Sequence, residues 1–197
     1  ARDVQIMDDK RTVGALDLIL ETVSGEHEHW ELAYKLFLQS DEGLGWGSWL
    51  GPGGRDRLDV KVERMINHQL PLSESELAVP VLRSLGVDRI VRRRVLLQGV
   101  LFTPFDAPER RALSGHLPAQ GRWVRPSGVT KMLESFPGSC WVQRTKPLWF
   151  GPWVGPADEA IPNDQLAAHL LNTPIDRAQL WSRKGPNDTS LQGMVFV

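Results

Sequence analysis

The stretch that decides the fold is Gly14-Ala15-Leu16-Asp17-Leu18-Ile19-Leu20, together with Trp30-Glu31-Leu32-Ala33-Tyr34-Lys35. Apolar and polar residues alternate along both stretches, which is typical of β-strands that present successive side chains to opposite faces of a sheet. The link between them contains Ser24-Gly25-Glu26, a sequence that favours a turn. We therefore expect two neighbouring strands joined as a hairpin.

Charged side chains interrupt both strands of this predicted hairpin. Asp17 lies among the leucines of the first strand, and Glu31 and Lys35 share one face of the second. Carboxylates from two adjacent strands suit a hard divalent cation such as Mg²⁺. Such an ion polarises a phosphodiester and lowers the pKa of a bound water, and a nearby lysine orients that water or stabilises the developing charge. The alternative is an ordinary cross-strand ion pair between Asp17 and Lys35, worth about 0.2–1 kcal/mol.

A loop rich in glycine and tryptophan, residues 43–54, precedes the clearest helical pattern, residues 56–69. Basic or protonatable residues recur on this pattern at helical spacing and form one stripe. Free backbone N–H groups at a helix start also favour anions, so we expect this region to contact nucleic-acid phosphates. The alternative is a solvated helix face whose charge Asp59 and Glu63 dilute. The candidate phosphate contacts are Arg55, Arg57, Lys61, Arg64 and His68.

Three further features leave two interpretations open. His27 and His29 share a face with Glu31, which fits zinc or manganese ligands as well as exposed histidines at a hairpin mouth. The arginine run at 89–94 could contact phosphates or protect a strand edge from aggregation. The tryptophans at positions 46, 49, 149 and 153 could stack on bases or pack as core under their loops.

Composition limits the class of protein. The chain has 197 residues and a net charge of −1, which allows one well-buried core and excludes a global basic field for attracting nucleic acid. The single cysteine, Cys140, excludes an internal disulfide and a multi-cysteine zinc site. Apolar runs stay well below the ~18 residues that cross a bilayer, so we expect a cytoplasmic protein without membrane contact. Because the chain enters a strand directly after Ala1, we also expect that an N-terminal portion is missing.

The remaining pattern mixes strands and helices without internal repeats, which predicts a mixed α/β class. The first long helix is expected to stop at Leu70-Pro71 and the second at Gly86. Loops are predicted over 106–120 and 146–156. Predicted strands span 3–7, 14–21, 29–38, 95–102, 122–125, 139–145, 177–183 and 192–197. Predicted helices span 56–69, 74–85, 128–136 and 164–171.

Longer segments resemble a known family. They are Arg11-Thr12-Val13-Gly14-Ala15-Leu16-Asp17, His29-Trp30-Glu31-Leu32-Ala33-Tyr34-Lys35, Trp49-Leu50-Gly51-Pro52-Gly53-Gly54-Arg55-Asp56-Arg57-Leu58-Asp59, His68-Gln69-Leu70-Pro71-Leu72-Ser73, Gly99-Val100-Leu101-Phe102 and Lys146-Pro147-Leu148-Trp149. Together they resemble the bacterial family of domains of unknown function DUF1853, over most of the chain. That family is similar to the PD-(D/E)XK nuclease superfamily, whose restriction-endonuclease-like core carries its metal site on a β-hairpin.

The resemblance implies that Asp17 and Glu31 match the superfamily's acidic metal ligands and that Lys35 is the best match for its lysine. Two positions depart from the pattern. The family usually has glutamate where this chain has Ala15, and the superfamily's Glu-x-Lys spacing would put the lysine at Ala33. Lys35 keeps the same strand face about 7 Å further along. The superfamily core also has a helix before its first strand, in keeping with a missing N-terminal portion.

We therefore expect an α/β, restriction-endonuclease-like (PD-(D/E)XK) mixed sheet with flanking helices. Residues 1–105 would form the nuclease-like core, and residues 106–197 a C-terminal extension with extra strands and a helix. The expected function is Mg²⁺- or Mn²⁺-dependent hydrolysis of phosphodiesters in DNA, rather than action on a small molecule. The alternative, motivated by Ala15 and Ala33, is a catalytically degenerate nuclease fold that binds nucleic acid or a protein partner.

Overall fold

The structure, a computed structural model, describes residues 1–40, 43, 45–107, 121–146, 149, 159–172, 177–186 and 192–196. This part of the chain forms ten strands and five α-helices. Parallel and antiparallel strand pairs both occur, which confirms the expected mixed α/β class with a mixed sheet and several helices. The chain divides into two compact units: Ala1–Lys35 with Asp59–Gln98 (unit 1), and Leu36–Leu58 with Gly99–Val197 (unit 2).

Unit 1 is built on an antiparallel meander that confirms the predicted hairpin. Its strands are β1 (Arg2–Asp8), β2 (Arg11–Glu21) and β3 (His27–Gln39), of which β3 runs on into unit 2. The strand β5 (Ile90–Pro104) follows β3 in the sheet order, and it too continues into unit 2. β5 begins earlier than predicted, so Arg92, Arg93 and Arg94 lie within the strand.

Two buried residues of β2 belong to the same core cluster although they are three positions apart. Leu16 and Ile19 are both buried in one core cluster with Ala78 and Leu82. Residues three apart point to opposite faces of a regular strand. Leu16 and Ile19 nevertheless belong to the same core cluster, so the burial of β2 does not follow simple alternation around Asp17.

The helical segment of unit 1 runs past its predicted end. The helix α1 (Leu58–Arg64) is followed without a break by a π-helical turn (Met65–Gln69) and by α2 (Leu70–Leu72). Leu70 donates its N–H to the Met65 carbonyl, five residues back, and Pro71, which has no N–H to donate, follows it within the helix. The expected stop at Leu70-Pro71 was therefore wrong.

The next helix, α3 (Ala78–Ser84), lies within the predicted range, and the chain turns out of it at Gly86, which has a φ of +78°. This left-handed conformation favours glycine at a helix end.

The two faces of β3 differ from the usual arrangement. Leu32 and Tyr34 on one face are 41% and 45% exposed, whereas His29 and Glu31 on the other are fully buried. Ile19 lies directly across from His29 in the hairpin and belongs to the core. The polar face of the strand therefore faces the interior of unit 1.

Unit 2 contains the other strands and helices. Its main core joins Trp141 and Trp181 to buried residues of two helices. The side chain of Asn163 makes two hydrogen bonds at this core: its Oδ1 accepts from Trp141 Nε1 at 2.7 Å, and its Nδ2 donates to the Phe136 carbonyl at 2.9 Å. The elements are β4 (Trp49–Leu50), β6 (Gly121–Trp123), α4 (Val129–Glu134), β7 (Cys140–Arg144), β8 (Ile161–Pro162), α5 (Asn163–Asn172), β9 (Leu180–Lys184) and β10 (Gln192–Phe196).

The loop tryptophans have different environments. Trp49 is fully buried and Trp46 is half exposed. Trp149 packs partly buried against a core cluster and donates to the Arg144 carbonyl at 2.7 Å. Trp153 and most of the predicted loops 106–120 and 146–156 lie outside the described residues. In the described part of the chain, no helix is long and apolar enough to cross a membrane.

Candidate functional site

The candidate site lies where β2 and β3 stop pairing. Their ladder runs from Glu21 opposite His27 to Leu18 opposite Trp30. Beyond this pair a side chain accepts the hydrogen bond in place of a backbone carbonyl: Asp17 Oδ2 accepts the Leu32 N–H at 2.8 Å. The Asp17 N–H lies 3.5 Å from Glu31 Oε1, at the limit of a hydrogen bond. The two predicted acidic residues therefore meet at the end of the β2–β3 ladder.

Glu31 is held on both sides by polar side chains. Its Oε1 lies 2.8 Å from His29 Nε2, and its Oε2 accepts from Gln69 Nε2 at 2.6 Å. On the far side of the ring, His29 Nδ1 lies 3.0 Å from Ser73 Oγ, which itself donates to the Leu70 carbonyl at 3.2 Å. A buried carboxylate needs such partners, because leaving it unpaired costs several kcal/mol. We call Ser73, His29, Glu31, Gln69 and Lys61 the polar network.

Lys61 adds a positive charge to the polar network. Its ammonium donates to Gln69 Oε1 at 3.2 Å. The pKa of Lys61 is lowered, first by loss of solvent and then by the positive charges of Lys35 and Arg64, while Asp17 and Glu31 act in the opposite direction. Lys61 is thus within electrostatic reach of Asp17, Glu31, Lys35 and Arg64.

The predicted phosphate contacts are spread over more than one element. Arg64 and His68 are exposed on the helical segment, and Lys61 is half-buried. Arg55 and Arg57 precede α1, in unit 2, where Arg57 forms a β-bridge with Leu50. The helix begins two residues later than predicted, so Arg57 does not belong to the helical stripe.

The carboxylates of Asp17 and Glu31 supply only part of the ligand set that a hard divalent cation needs. Two carboxylates and the phosphate oxygens of a substrate are a common ligand set for Mg²⁺. Asp17 Oδ2 and Glu31 Oε2 each accept one hydrogen bond, from the Leu32 N–H and from Gln69 Nε2, and each has a second lone pair. Among the described residues, no group of three or more His, Cys, Asp or Glu side chains could hold a metal ion. A metal would thus depend on Asp17, Glu31 and its substrate, and His29 already uses both ring nitrogens in hydrogen bonds.

Two members of the polar network were missed in the sequence, Gln69 and Ser73. Gln69 falls on the same predicted helix face as Leu58, Val62 and Met65. A glutamine among apolar residues indicates a buried polar partner, and that signal was available. Ser73, by contrast, follows the helix, and its contact with His29 spans 44 residues of sequence, so no local pattern indicates it.

A second charged cluster lies on the opposite face of β3. Glu28 accepts from Arg94 Nε at 2.9 Å, from Arg92 Nη1 at 3.2 Å and from Trp30 Nε1 at 2.9 Å. The hydrogen bond from Arg94 is the largest of the effects that together lower the pKa of Glu28. Arg94 also lies over the Trp30 ring, 5.2 Å from its centroid. Two members of the arginine run are therefore engaged by a carboxylate of β3.

Comparison with protein families identifies the chain. Residues 1–180 match the model of the family described as Domain of unknown function (DUF1853), so the chain belongs to this family. Comparison with curated proteins and with solved structures gives no significant match.

Proposed function

We propose that this member of the DUF1853 family is a metal-dependent phosphodiester hydrolase acting on DNA, built on a restriction-endonuclease-like (PD-(D/E)XK) core. One observation carries the proposal: Asp17 and Glu31 adjoin at the point where β2 and β3 stop pairing. Three cationic side chains, Lys35, Lys61 and Arg64, share that environment. Carboxylates for a cation and ammonium groups for a phosphate are the two requirements of metal-assisted phosphodiester hydrolysis.

The side chains have separate roles in this proposal. Asp17 and Glu31 would hold Mg²⁺ or Mn²⁺, which when bound supplies a more acidic water and polarises the phosphodiester. His29 fixes the orientation of the Glu31 carboxylate, and Ser73 fixes the orientation of the His29 ring. Lys35 stabilises negative charge as it develops on the phosphate, and Arg64 and His68 contact neighbouring phosphates.

The test is cleavage of supercoiled plasmid DNA by the purified protein with Mn²⁺, Mg²⁺ or EDTA. We expect cutting with either metal and none with EDTA. Asp17→Asn keeps the shape of the side chain and removes its charge, so the rate should fall by about 100-fold or more. Asp8→Asn, a change at the exposed end of β1, is the matched control and should cut at the normal rate. Full activity of Asp17→Asn would refute the proposal.

A second function is favoured by the burial of Glu31. Its side chain is fully buried and both oxygens already accept hydrogen bonds. In that arrangement the fold would bind nucleic acid without cutting it. The protein would then bind a labelled 20-base-pair duplex equally well in EDTA and in Mn²⁺, and its affinity would fall steeply with salt. A duplex affinity that rises on adding Mn²⁺ would instead favour the hydrolase.

A further inference from the structure

Gln69 occupies a position that depends on the π-helical turn. It is the last residue of that turn and follows Lys61 by eight residues. In a regular α-helix, residues eight apart are offset by about 80° around the axis. The wider turn rotates the chain less per residue. The two side chains therefore come into line, and the Lys61 ammonium reaches Gln69 Oε1 at 3.2 Å.

The amide of Gln69 joins two groups of opposite charge. Its Nε2 donates to the Glu31 carboxylate at 2.6 Å, and its Oε1 accepts from the Lys61 ammonium at 3.2 Å. A carboxylate can only accept and an ammonium can only donate, so these partners fix which end of the amide is which. Asparagine is one methylene shorter, and glutamate would offer Glu31 a second acceptor in place of a donor.

We propose that Gln69 is a positioning residue that directs the Lys61 ammonium at the phosphate held beside Asp17 and Glu31. Lys61 then supplies, from the helix, a positive charge beside the two carboxylates. This inference rests on the proposed function for its substrate, and it assigns to Lys61 the reacting phosphate rather than a neighbouring one.

The surroundings of Lys61 support this role. The side chain is half-buried and Asp17, Glu31, Lys35 and Arg64 all influence it electrostatically. A compact ammonium that is partly removed from water interacts strongly with a phosphate brought next to it. Arg64, three residues further along the helical segment, is exposed and so is suited to looser contacts.

Kinetics of plasmid cleavage with Mn²⁺ form the first part of the test. Gln69→Leu removes both hydrogen bonds, and we expect kcat to fall by about 10–100-fold with little change in KM. Gln5→Leu, at an exposed position of β1, is the matched control. Lys61→Cys in a Cys140→Ala background should be equally impaired, and alkylation with 2-bromoethylamine, which restores an ammonium, should recover activity. Full activity of Lys61→Cys before alkylation would overturn the inference.

The second part does not depend on cutting. Lysines are labelled with acetic anhydride, with and without a 20-base-pair duplex in Ca²⁺, and read by mass spectrometry. We expect the duplex to protect Lys61 in the wild type by at least threefold and not in Gln69→Leu, with exposed Lys131 as the internal reference. Equal labelling of Lys61 with and without duplex overturns the inference.

Protection of Lys61 in a protein that cuts no DNA refutes the hydrolase and leaves the positioning role supported. Cutting that persists in Lys61→Met refutes the positioning role and leaves the hydrolase.

Discussion

Replacing His29 with leucine tests whether the polar network is a coupled unit. Leucine has a similar volume, so the change mainly removes the partner 2.8 Å from Glu31 Oε1. The Glu31 carboxylate stays fully buried and keeps Gln69 as a donor. Removing one partner of a buried charged pair costs about 3–5 kcal/mol, and the remaining donor places this case near 3 kcal/mol. For a chain of this length that corresponds to a fall in Tm of about 6–12 °C.

The assay is urea unfolding followed by tryptophan fluorescence, on four proteins: wild type, His29→Leu, Glu31→Leu and the double variant. Glu31→Leu leaves the His29 and Gln69 donors without an acceptor and should cost about 2 kcal/mol. The double variant removes the His29–Glu31 pair together and should cost about 1 kcal/mol, because a well-packed apolar pair replaces a buried polar pair at little cost while the Gln69 amide loses its acceptor. The coupling energy should therefore be about 4 kcal/mol.

The exposed His68 supplies the control, since His68→Leu should change stability by no more than about 0.5 kcal/mol. Additive effects of His29→Leu and Glu31→Leu, within about 0.5 kcal/mol, would refute the reasoning. They would mean that the two residues do not share the contact described above.

Three further predictions concern the scaffold. Gly86→Ala should lower the free energy of unfolding by about 1 kcal/mol, because the φ of +78° at this helix end is strained for any L side chain. Urea unfolding measures the change, and an unchanged free energy of unfolding would contradict the prediction. The folded state lowers the pKa of Glu28 below its ordinary 4.5, so the stability that Glu28 contributes is present above that pH and is lost as the pH falls through the folded pKa. The Tm of Glu28→Gln should therefore decline less steeply in acid than the Tm of the wild type. Parallel declines of the two Tm values would contradict this prediction. Asn163→Ala removes the acceptor of Trp141 Nε1 and should cost about 1–3 kcal/mol by denaturant unfolding, whereas a loss below 0.5 kcal/mol would show that water replaces the contact.

Local sequence signals predicted the elements of unit 1 better than its packing. Alternation located β2 and β3, and Gly86 marked the end of the second helix. Alternation does not tell which face of a strand is buried, and here the face that carries His29 and Glu31 points inward while Leu32 points outward. The reason is a set of long-range partners that a period of two residues cannot encode.

The π-helical turn is the second feature that local signals missed. A proline at position 71 predicts the end of a regular helix because it cannot donate to a carbonyl four residues back. The i to i+5 bond from Leu70 to Met65 adjusts the helix just before that proline and lets the chain continue. The same adjustment aligns Gln69 with Lys61. The nuclease activity, the metal and the division at residue 105 stay predictions.

The burial of the polar face of β3 has a consequence for directed evolution. If leucine at both His29 and Glu31 costs little, a library screened only for heat resistance will drift toward aliphatic side chains at these positions. A second screen that also demands function would recover the histidine and the glutamate. Comparing the two outcomes would separate residues that the chain retains for its chemistry from residues that it retains for its architecture.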